Sequence, residues 1–160
     1  QIDFIQKTGI VTAMVGLLQA PTGTKLYERL KKEGRLLGRM TGDNADGSTN
    51  IIPNNMDADT CREGYKTILK HIYSPENYYN RIMTLFKEYK SPTIKGTIKF
   101  EHIVGLVNSI YHLGIFGKER VQFWRLLLWT SLHRRDLFPL AVTLAVYGYH
   151  FRRVSELHVL

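Results

Sequence analysis

Hydrophobic and polar positions divide this chain into a short segment with strand character and a longer series of helices. Residues 10–18, IVTAMVGLL, are apolar on both faces and rich in β-branched side chains, a pattern typical of a strand covered on both sides. Further along, apolar residues recur at helical spacing, for example Tyr65, Ile68, Leu69 and Ile72. The pattern predicts a mainly α fold, in which a short α/β portion precedes a helical bundle.

The segments beside the strand carry the signals of helix ends. Residues 1–9 have the composition of the last turns of a helix, with Gly9 where a left-handed conformation would end it. After a turn at 19–23, Thr24 is expected to cap a helix over 24–36. The turn-rich loop that follows contains a short candidate strand at 49–52.

Further helices are predicted in the remainder of the chain. Asp57 or Asp59 is expected to cap the first of them, and Ser74 and Pro75 are expected to begin the second. A linker is predicted at 90–96. The predicted helical ranges are 61–73, 76–89, 97–113, 118–134 and 138–157.

The strand at 10–18 lacks the neighbours that a parallel sheet requires. No later segment supplies a matching set of strands, and the chain begins with Gln rather than Met. We therefore expect an excised C-terminal part of a larger protein; the alternative is a lone edge strand paired with residues 48–52. Without its sheet, the strand is expected to pair with 48–52, to pack on the helices or to drive association.

Composition and charge narrow the class of protein. The 160 residues are 44% hydrophobic and 22% charged, which excludes disordered and collagen-like chains, and the single Cys excludes a disulfide framework. A net charge of +8 favours anionic partners such as nucleotides, nucleic acid or a membrane surface. The longest nearly uncharged stretch, 137–149, is too short for a transmembrane helix, and no signal peptide opens the chain, so a cytoplasmic protein is expected.

No set of residues in the sequence indicates a catalytic or metal centre. The six His residues form no His-Glu-x-x-His arrangement, and Cys61 has no Cys or His three or four residues away. The GDNADG stretch at 42–47 resembles a calcium loop only in composition, because Pro53 stands where a bidentate Glu is required. We assign no catalytic residue and no metal ligand, and interpret 42–47 as a surface turn.

The C-terminal third of the chain mixes cations with aromatic side chains. Arginine beside stackable rings is a common way to bind nucleic acid, but the helical spacing of Val121, Trp124 and Leu128 equally fits a buried stripe with a basic flank. An interfacial membrane helix over 137–157 is a further interpretation. The nucleic-acid interpretation rests on Arg120, Arg125, Arg134, Arg135, Arg152 and Arg153.

Two stretches of the sequence resemble a known family. Residues 4–37 contain GLLQA followed by PTGTKLY, and residues 50–82 read NIIPNNMDADTCREGYKTILKHIYSPENYYNRI. They are similar to the late barrel strand, turn and helix, and to the appended uncharacterised C-terminal domain, of radical S-adenosylmethionine proteins with an N-terminal cobalamin-binding domain. The resemblance covers about half of the chain closely, and Thr22 departs from the family, which has a second Pro there.

The resemblance implies a parent enzyme whose chemistry lies outside these residues. The family holds a 4Fe–4S cluster through a Cys-x-x-x-Cys-x-x-Cys loop, cleaves S-adenosylmethionine to a deoxyadenosyl radical and, in cobalamin members, often transfers methyl groups. Neither that loop nor a cobalamin-binding domain occurs in these residues, so no cofactor is expected within this chain. The implied partners are the barrel and the cobalamin-binding domain of the same polypeptide, and the substrate is left open.

Only the end of the strand carries a family site over to this sequence. The residues matched to the barrel rim that faces S-adenosylmethionine are Leu18, Gln19, Ala20 and Pro21. The resemblance places their backbone groups near the adenine edge, and ligands of parallel sheets and barrels do bind at the carboxyl ends of strands. Gly23 and Thr24 are instead expected to shape the turn and cap the helix.

These interpretations combine into two predicted regions and one predicted role. Residues 1–37 would complete a radical S-adenosylmethionine barrel, and residues 38–160 would form a helical domain that covers its open face or shapes the substrate pocket. The chain would then be the C-terminal part of a methyltransferase or oxidoreductase, without activity alone. The alternatives are a basic helical module that binds RNA or another anionic partner, and a helical interaction domain with no ligand of its own.

Overall fold

A computed structural model describes residues 1–42, 47–91 and 100–159, and it confirms the mainly α prediction. The α-helices are α1 Ile2–Thr8, α2 Lys25–Lys32, α3 Ala58–Ile72, α4 Pro75–Glu88, α5 Phe100–Ser109, α6 Arg120–His133 and α7 Phe138–His158. A π-helical segment, Ile110–Ile115, follows α5, and a short 3₁₀ turn, Arg135–Leu137, precedes α7. Most of the 42–47 turn, most of the 90–96 linker and the predicted helix start at 97–99 lie outside the described residues.

The helix caps follow the sequence signals. Gly9 ends α1 with φ +68°, and the Thr24 hydroxyl accepts a hydrogen bond from the Tyr27 amide at the start of α2. Asp57 caps α3 by accepting from the Thr60 amide, and Ser74 caps α4 with Pro75 in its first turn. These contacts confirm the predicted caps. Of the two candidates for the cap of α3, they identify Asp57 and not Asp59.

The described chain forms two compact units, each built from separate stretches of sequence. The first unit comprises Gln1–Ala13 and Ile72–Arg153, and the second comprises Met14–His71 and Val154–Leu160. The predicted division of the sequence after residue 37 rests on the resemblance and stays a prediction.

The core of the first unit lies among α1, α4, α6 and α7. Its buried residues include Ile5, Ile82, Phe86, Phe123, Leu126, Ala141 and Ala145. Tyr78 of α4 is buried beside α7 and donates a hydrogen bond from its hydroxyl to the Leu144 carbonyl at 2.8 Å. A Cβ at Gly148 would overlap the Tyr78 ring, so glycine at this position allows α7 to pack closely on α4.

The predicted strand at 10–18 is wrong for this structure. Residues 10–20 have no regular secondary structure, and the one β pairing among the described residues is a single antiparallel bridge between Leu36 and Ile51. The candidate strand at 49–52 is reduced to that bridge. A strand requires backbone pairing with a neighbour, and the described residues supply none for this segment, whose backbone instead accepts hydrogen bonds from side chains.

The helix predicted over 24–36 is shorter than its pattern indicated. It ends at Lys32, and Gly34 adopts φ +68°, while the Arg35 amide donates back to the Leu30 carbonyl at 2.8 Å. Residues 35–37 therefore lie outside the helix and pair with the chain around Ile51. Leu36 forms the bridge with Ile51, and the Leu37 amide donates to the Asn50 carbonyl. The helix therefore ends at the turn around Gly34, although the apolar pattern continues beyond it.

Candidate functional site

The residues matched to the S-adenosylmethionine rim lie in the second unit with different exposures. Leu18 is 67% exposed and Pro21 is exposed, whereas Gln19 and Ala20 are buried. The turn at 21–23 continues into α2, with the Thr24 amide donating to the Pro21 carbonyl. The matched residues therefore form the start of a turn whose two middle members are packed inside the unit.

Asn50 holds the backbone of Ala20 through both halves of its side-chain amide. The Ala20 amide donates to Asn50 Oδ1 at 2.8 Å, and Asn50 Nδ2 donates to the Ala20 carbonyl at 3.0 Å. Asn50 is 4% exposed, so both hydrogen bonds are shielded from water. The backbone groups matched to the adenine edge are thus bound to a side chain of the same unit.

Gln19 and Leu18 are fixed by neighbouring polar side chains. Gln19 Oε1 accepts from the Thr41 amide at 3.0 Å, and Gln19 Nε2 donates to the Ser48 hydroxyl at 3.2 Å. The Thr49 hydroxyl donates to the Leu18 carbonyl at 2.6 Å. Residues 18–20 therefore meet residues 48–50, part of the expected pairing region, but through side chains instead of a β-ladder.

In the first unit, the buried Arg81 holds the beginning of the same extended segment. Its guanidinium donates to the carbonyls of Ile10 at 3.0 Å, Val11 at 3.4 Å and Ile72 at 2.5 Å, and to Gln6 Oε1 at 2.9 Å. Arg81 is fully buried, and this burial lowers the pKa of its guanidinium. The Tyr73 hydroxyl adds a hydrogen bond to the Ala13 carbonyl at 2.7 Å.

Sequence reasoning missed both Asn50 and Arg81. Each is a polar residue whose role depends on burial, and the sequence places Asn50 in a polar loop and Arg81 in an ordinary amphipathic helix. The one available signal for Arg81 is its position between the apolar residues Tyr78, Tyr79 and Ile82 of the α4 stripe. A charged residue on the core side of a helix indicates a buried hydrogen-bonding role.

Three of the six arginines in the nucleic-acid interpretation make contacts inside the first unit. Arg134 donates to the carbonyls of Phe86 and Tyr89 and pairs with Asp136 at 3.0 Å. The hydrogen bond with Arg134 holds the pKa of the Asp136 carboxyl below its usual range. Arg135 donates to the Ser131 carbonyl at 3.0 Å. The third, Arg152, takes part in a buried ion pair.

That ion pair joins Arg152 of α7 to Glu119, the residue before α6. The distance from Arg152 Nη1 to Glu119 Oε2 is 2.7 Å, and Glu119 is 1% exposed. Burial, with the Glu119 carboxylate as a further cause, raises the pKa of the nearby Tyr79 hydroxyl. Arg152 is therefore part of the interior, and the exposed cations of α6 are Arg120 and Arg125.

The described residues contain no assembled metal centre. No three His, Cys, Asp or Glu side chains within them are grouped in a way that could hold a metal ion. Cys61 lies half-buried on α3 as a free thiol. A 4Fe–4S cluster held by three thiolates does not fit this chain, since the sequence contains one Cys.

Within residues 1–42, 47–91 and 100–159, no helix is both long enough and apolar enough to cross a bilayer.

Comparison with known proteins gives one family and two relatives. Residues 24–159 match a family model described as a domain of unknown function, DUF4070. The chain is 29% identical over 160 residues to an uncharacterized methyltransferase, sll1242, from Synechocystis sp., covering 98% of this chain and 30% of that protein. It is 27% identical over 154 residues to a hopanoid C-2 methylase from Rhodopseudomonas palustris, covering 91% of this chain and 28% of that protein.

The chain corresponds to only a part of each relative. It spans less than a third of the length of either relative. No solved structure matches the chain. The matches agree with the coarser part of the resemblance, a domain related to methyltransferases.

Proposed function

We propose that this chain, which belongs to the DUF4070 family, is the C-terminal region of a radical S-adenosylmethionine methylase. In that enzyme it would act as the substrate-covering domain. The observation that carries the proposal is the similarity of nearly the whole chain to a methyltransferase and to a methylase that are each more than three times longer. The resemblance of residues 4–37 to a late barrel strand and turn supports the same assignment. We further propose that the parent enzyme is of the cobalamin-binding subgroup.

The chemistry of such an enzyme would be divided between this chain and the rest of a longer polypeptide. A bound cluster and S-adenosylmethionine would supply the radical, and cobalamin the methyl group. One Cys cannot supply three cluster thiolates, so the proposed work of these residues is binding and orientation, without a catalytic residue. At the 18–21 turn, contact with S-adenosylmethionine would use exposed groups, because the Ala20 amide and carbonyl bind Asn50.

The hydrogen bonds around residues 6–20 support a positioning role. Arg81 and Tyr73 bind carbonyls at 10, 11 and 13 in the first unit, and Asn50 and Thr49 bind the backbone at 18 and 20 in the second. Within each unit, side chains therefore hold the backbone of this segment without a β-sheet. In the proposed enzyme, these contacts would hold the helices of each unit to the part of the 10–20 segment that belongs to that unit.

The test is an anaerobic assay of the complete polypeptide with and without residues 38–160. Deoxyadenosine formation and methylated product are measured together, so that radical formation and substrate conversion are separated. We expect the truncated protein to keep the cluster absorbance and to form deoxyadenosine, while the methylated product is lost. Unchanged product formation would exclude the covering role, and a polypeptide that binds no cluster at all would exclude the assignment to a radical enzyme.

The truncation also removes Asn50, which holds Ala20, so a point variant complements it. Arg81→Lys keeps the whole domain and the positive charge but loses part of the guanidinium hydrogen bonding. We expect this variant to form less methylated product per deoxyadenosine than the parent protein does. A matched surface variant, Arg29→Lys, is expected to leave the ratio unchanged, since Arg29 is exposed on α2.

A further inference from the structure

Helix α6 is apolar on the side that faces solvent as well as on the side that faces the core. Phe123, Leu126 and Leu127 are buried in the first unit. A second set, Val121, Trp124, Leu128 and Leu132, recurs at spacings of three and four residues, which puts these residues on one face. All four are exposed, and Leu132 reaches 73%. We call this set the α6 outer face.

The π-helical segment extends the exposed apolar surface beside α6. Trp124 donates from its indole N–H to the Gly114 carbonyl at 3.0 Å, which ties the segment to the start of α6. A Cβ at Gly114 would come within 3.2 Å of the Trp124 indole nitrogen, so glycine allows this close approach. Ile115 and Phe116 beside this contact are both exposed. Contiguous apolar exposure of this kind marks a site of interaction with a protein, a membrane or a ligand.

The exposed formal charges on α6 itself are positive. From residue 102 to residue 135 the sequence contains one acidic residue, Glu119, and that residue is buried in its ion pair with Arg152. Arg120 and Arg125 of α6 are exposed, and so is Arg135 just after it. The outer face therefore combines apolar side chains with exposed guanidinium groups. The exposed carboxylates that flank this range are Glu101 and Asp136, and Asp136 pairs with Arg134.

We propose that the α6 outer face binds the surface of an anionic lipid bilayer. Leucine, valine and tryptophan side chains would enter the boundary between headgroups and acyl chains, and Arg120 and Arg125 would contact phosphates. The helix would lie in the plane of the membrane, without crossing it. This assigns an interfacial role to α6; α7, the helix considered from sequence, buries Ala141, Leu144 and Ala145 in the first unit.

Charge and chemistry favour a bilayer over two other occupants, a second copy of this chain and RNA. Both copies in a symmetric pair would carry the same net charge of +8, and this repulsion disfavours such pairing. RNA would use the arginines but gains little from an aliphatic stripe of Val121, Leu128 and Leu132, which offers neither stacking nor hydrogen bonds. A bilayer with anionic headgroups uses both features.

The experiment measures sedimentation of the 160-residue chain with lipid vesicles. One set of vesicles is pure phosphatidylcholine, and the other contains about one quarter phosphatidylglycerol. We expect binding to the anionic vesicles that weakens as salt is raised, and weak binding to the neutral ones. Leu128→Glu with Leu132→Glu should weaken binding more than about tenfold, and Arg120→Glu with Arg125→Glu should weaken it at least about fivefold and flatten the salt dependence.

Met14→Glu is the matched control for the vesicle experiment, and three results would overturn the proposal. Met14→Glu changes an apolar side chain that is 93% exposed in the second unit, and it should leave vesicle binding unchanged. Circular dichroism of each variant verifies that its helices are intact. The proposal is overturned by absence of binding to anionic vesicles, by lipid-free oligomers that Leu128→Glu dissociates, or by tight RNA binding that depends on the arginines while the leucine variants leave vesicle binding unaltered.

Discussion

The side-chain amide of Asn50 makes both of the hydrogen bonds to Ala20 that a neighbouring β-strand would otherwise make. It accepts from the Ala20 amide at 2.8 Å and donates to the Ala20 carbonyl at 3.0 Å, with both residues buried. An amide side chain can do this because it carries the same donor and acceptor as a peptide group. The end of an apolar segment is thereby ordered without a sheet.

Replacing Asn50 by Ala should destabilise the chain strongly. The substitution leaves a buried amide and a buried carbonyl of Ala20 without partners, at a cost of about 3 kcal/mol. Urea unfolding followed by circular dichroism measures this change in the free energy of unfolding. Asn54→Ala, an exposed substitution in the same loop, should change it by less than about 0.5 kcal/mol. Equal effects of the two variants would show that the Asn50 contacts are not formed.

Replacing Arg81 by Met should be at least as damaging. The buried guanidinium donates hydrogen bonds to three carbonyls and to the Gln6 side chain. Met would fill much of the volume of the Arg81 side chain but would donate none of these hydrogen bonds. We expect a loss of about 3 kcal/mol or more in the free energy of unfolding. The matched surface variant Arg29→Met removes an exposed contact with Glu33 and should cost about 0.5 kcal/mol or less. A near-neutral Arg81→Met variant would contradict the hydrogen-bonding role.

Two glycine-to-alanine substitutions in helices should change the stability of the chain in opposite directions. At Gly148 the new methyl group overlaps the ring of the buried Tyr78, so we expect destabilisation of about 1–3 kcal/mol. At Gly64 on α3 nothing lies within 4 Å of the new Cβ, and alanine should stabilise the helix by about 0.5–1 kcal/mol. Thermal unfolding of the two variants tests the pair, and destabilisation of similar size at both sites would contradict the packing of α7 on α4.

The cap of α3 should titrate in acid. Hydrogen bonds from the Thr60 amide and hydroxyl hold the pKa of the Asp57 carboxyl below its usual range. A depressed folded-state pKa means that the stability contributed by the cap is present above the ordinary carboxyl pKa and is lost as the pH falls through the folded value. Thr60→Val removes the hydroxyl and should raise the Asp57 midpoint in an NMR titration.

Thr60→Ser provides the control for this titration, because serine keeps the hydroxyl that donates to Asp57. The midpoint for Asp57 in this variant should stay close to that of the unsubstituted chain. An Asp57 midpoint that is the same in all three proteins would exclude the hydroxyl contact as a cause of the shift.

Local signals predicted the parts of this fold that depend on a few adjacent residues. The caps at Thr24, Asp57 and Ser74 follow from short polar side chains placed before helical patterns. The apolar stripe of α4 likewise placed Tyr78, Ile82 and Phe86 in the core. In each case the determining contacts lie within one or two helical turns, so the sequence contains the whole signal.

The remainder depends on partners far away in sequence. The apolar pattern of 10–18 is typical of a strand, but a strand also needs neighbours, and no pattern in these residues specifies that Arg81, 71 residues after Ile10, binds its carbonyl instead. The π-helical segment at Ile110–Ile115 was predicted as the end of an ordinary helix over 97–113. Its Gly114 contacts Trp124, ten residues further along the chain.

Amide hydrogen exchange at Ala20 tests the central claim, that side chains of this chain hold the extended segment in place. NMR of the 160-residue chain should show an Ala20 amide that exchanges slowly, as do the amides of the buried part of α4. In Asn50→Ala the Ala20 amide should exchange fast while the α4 amides stay protected. Fast exchange at Ala20 in the unsubstituted chain, beside a protected α4, would contradict the account.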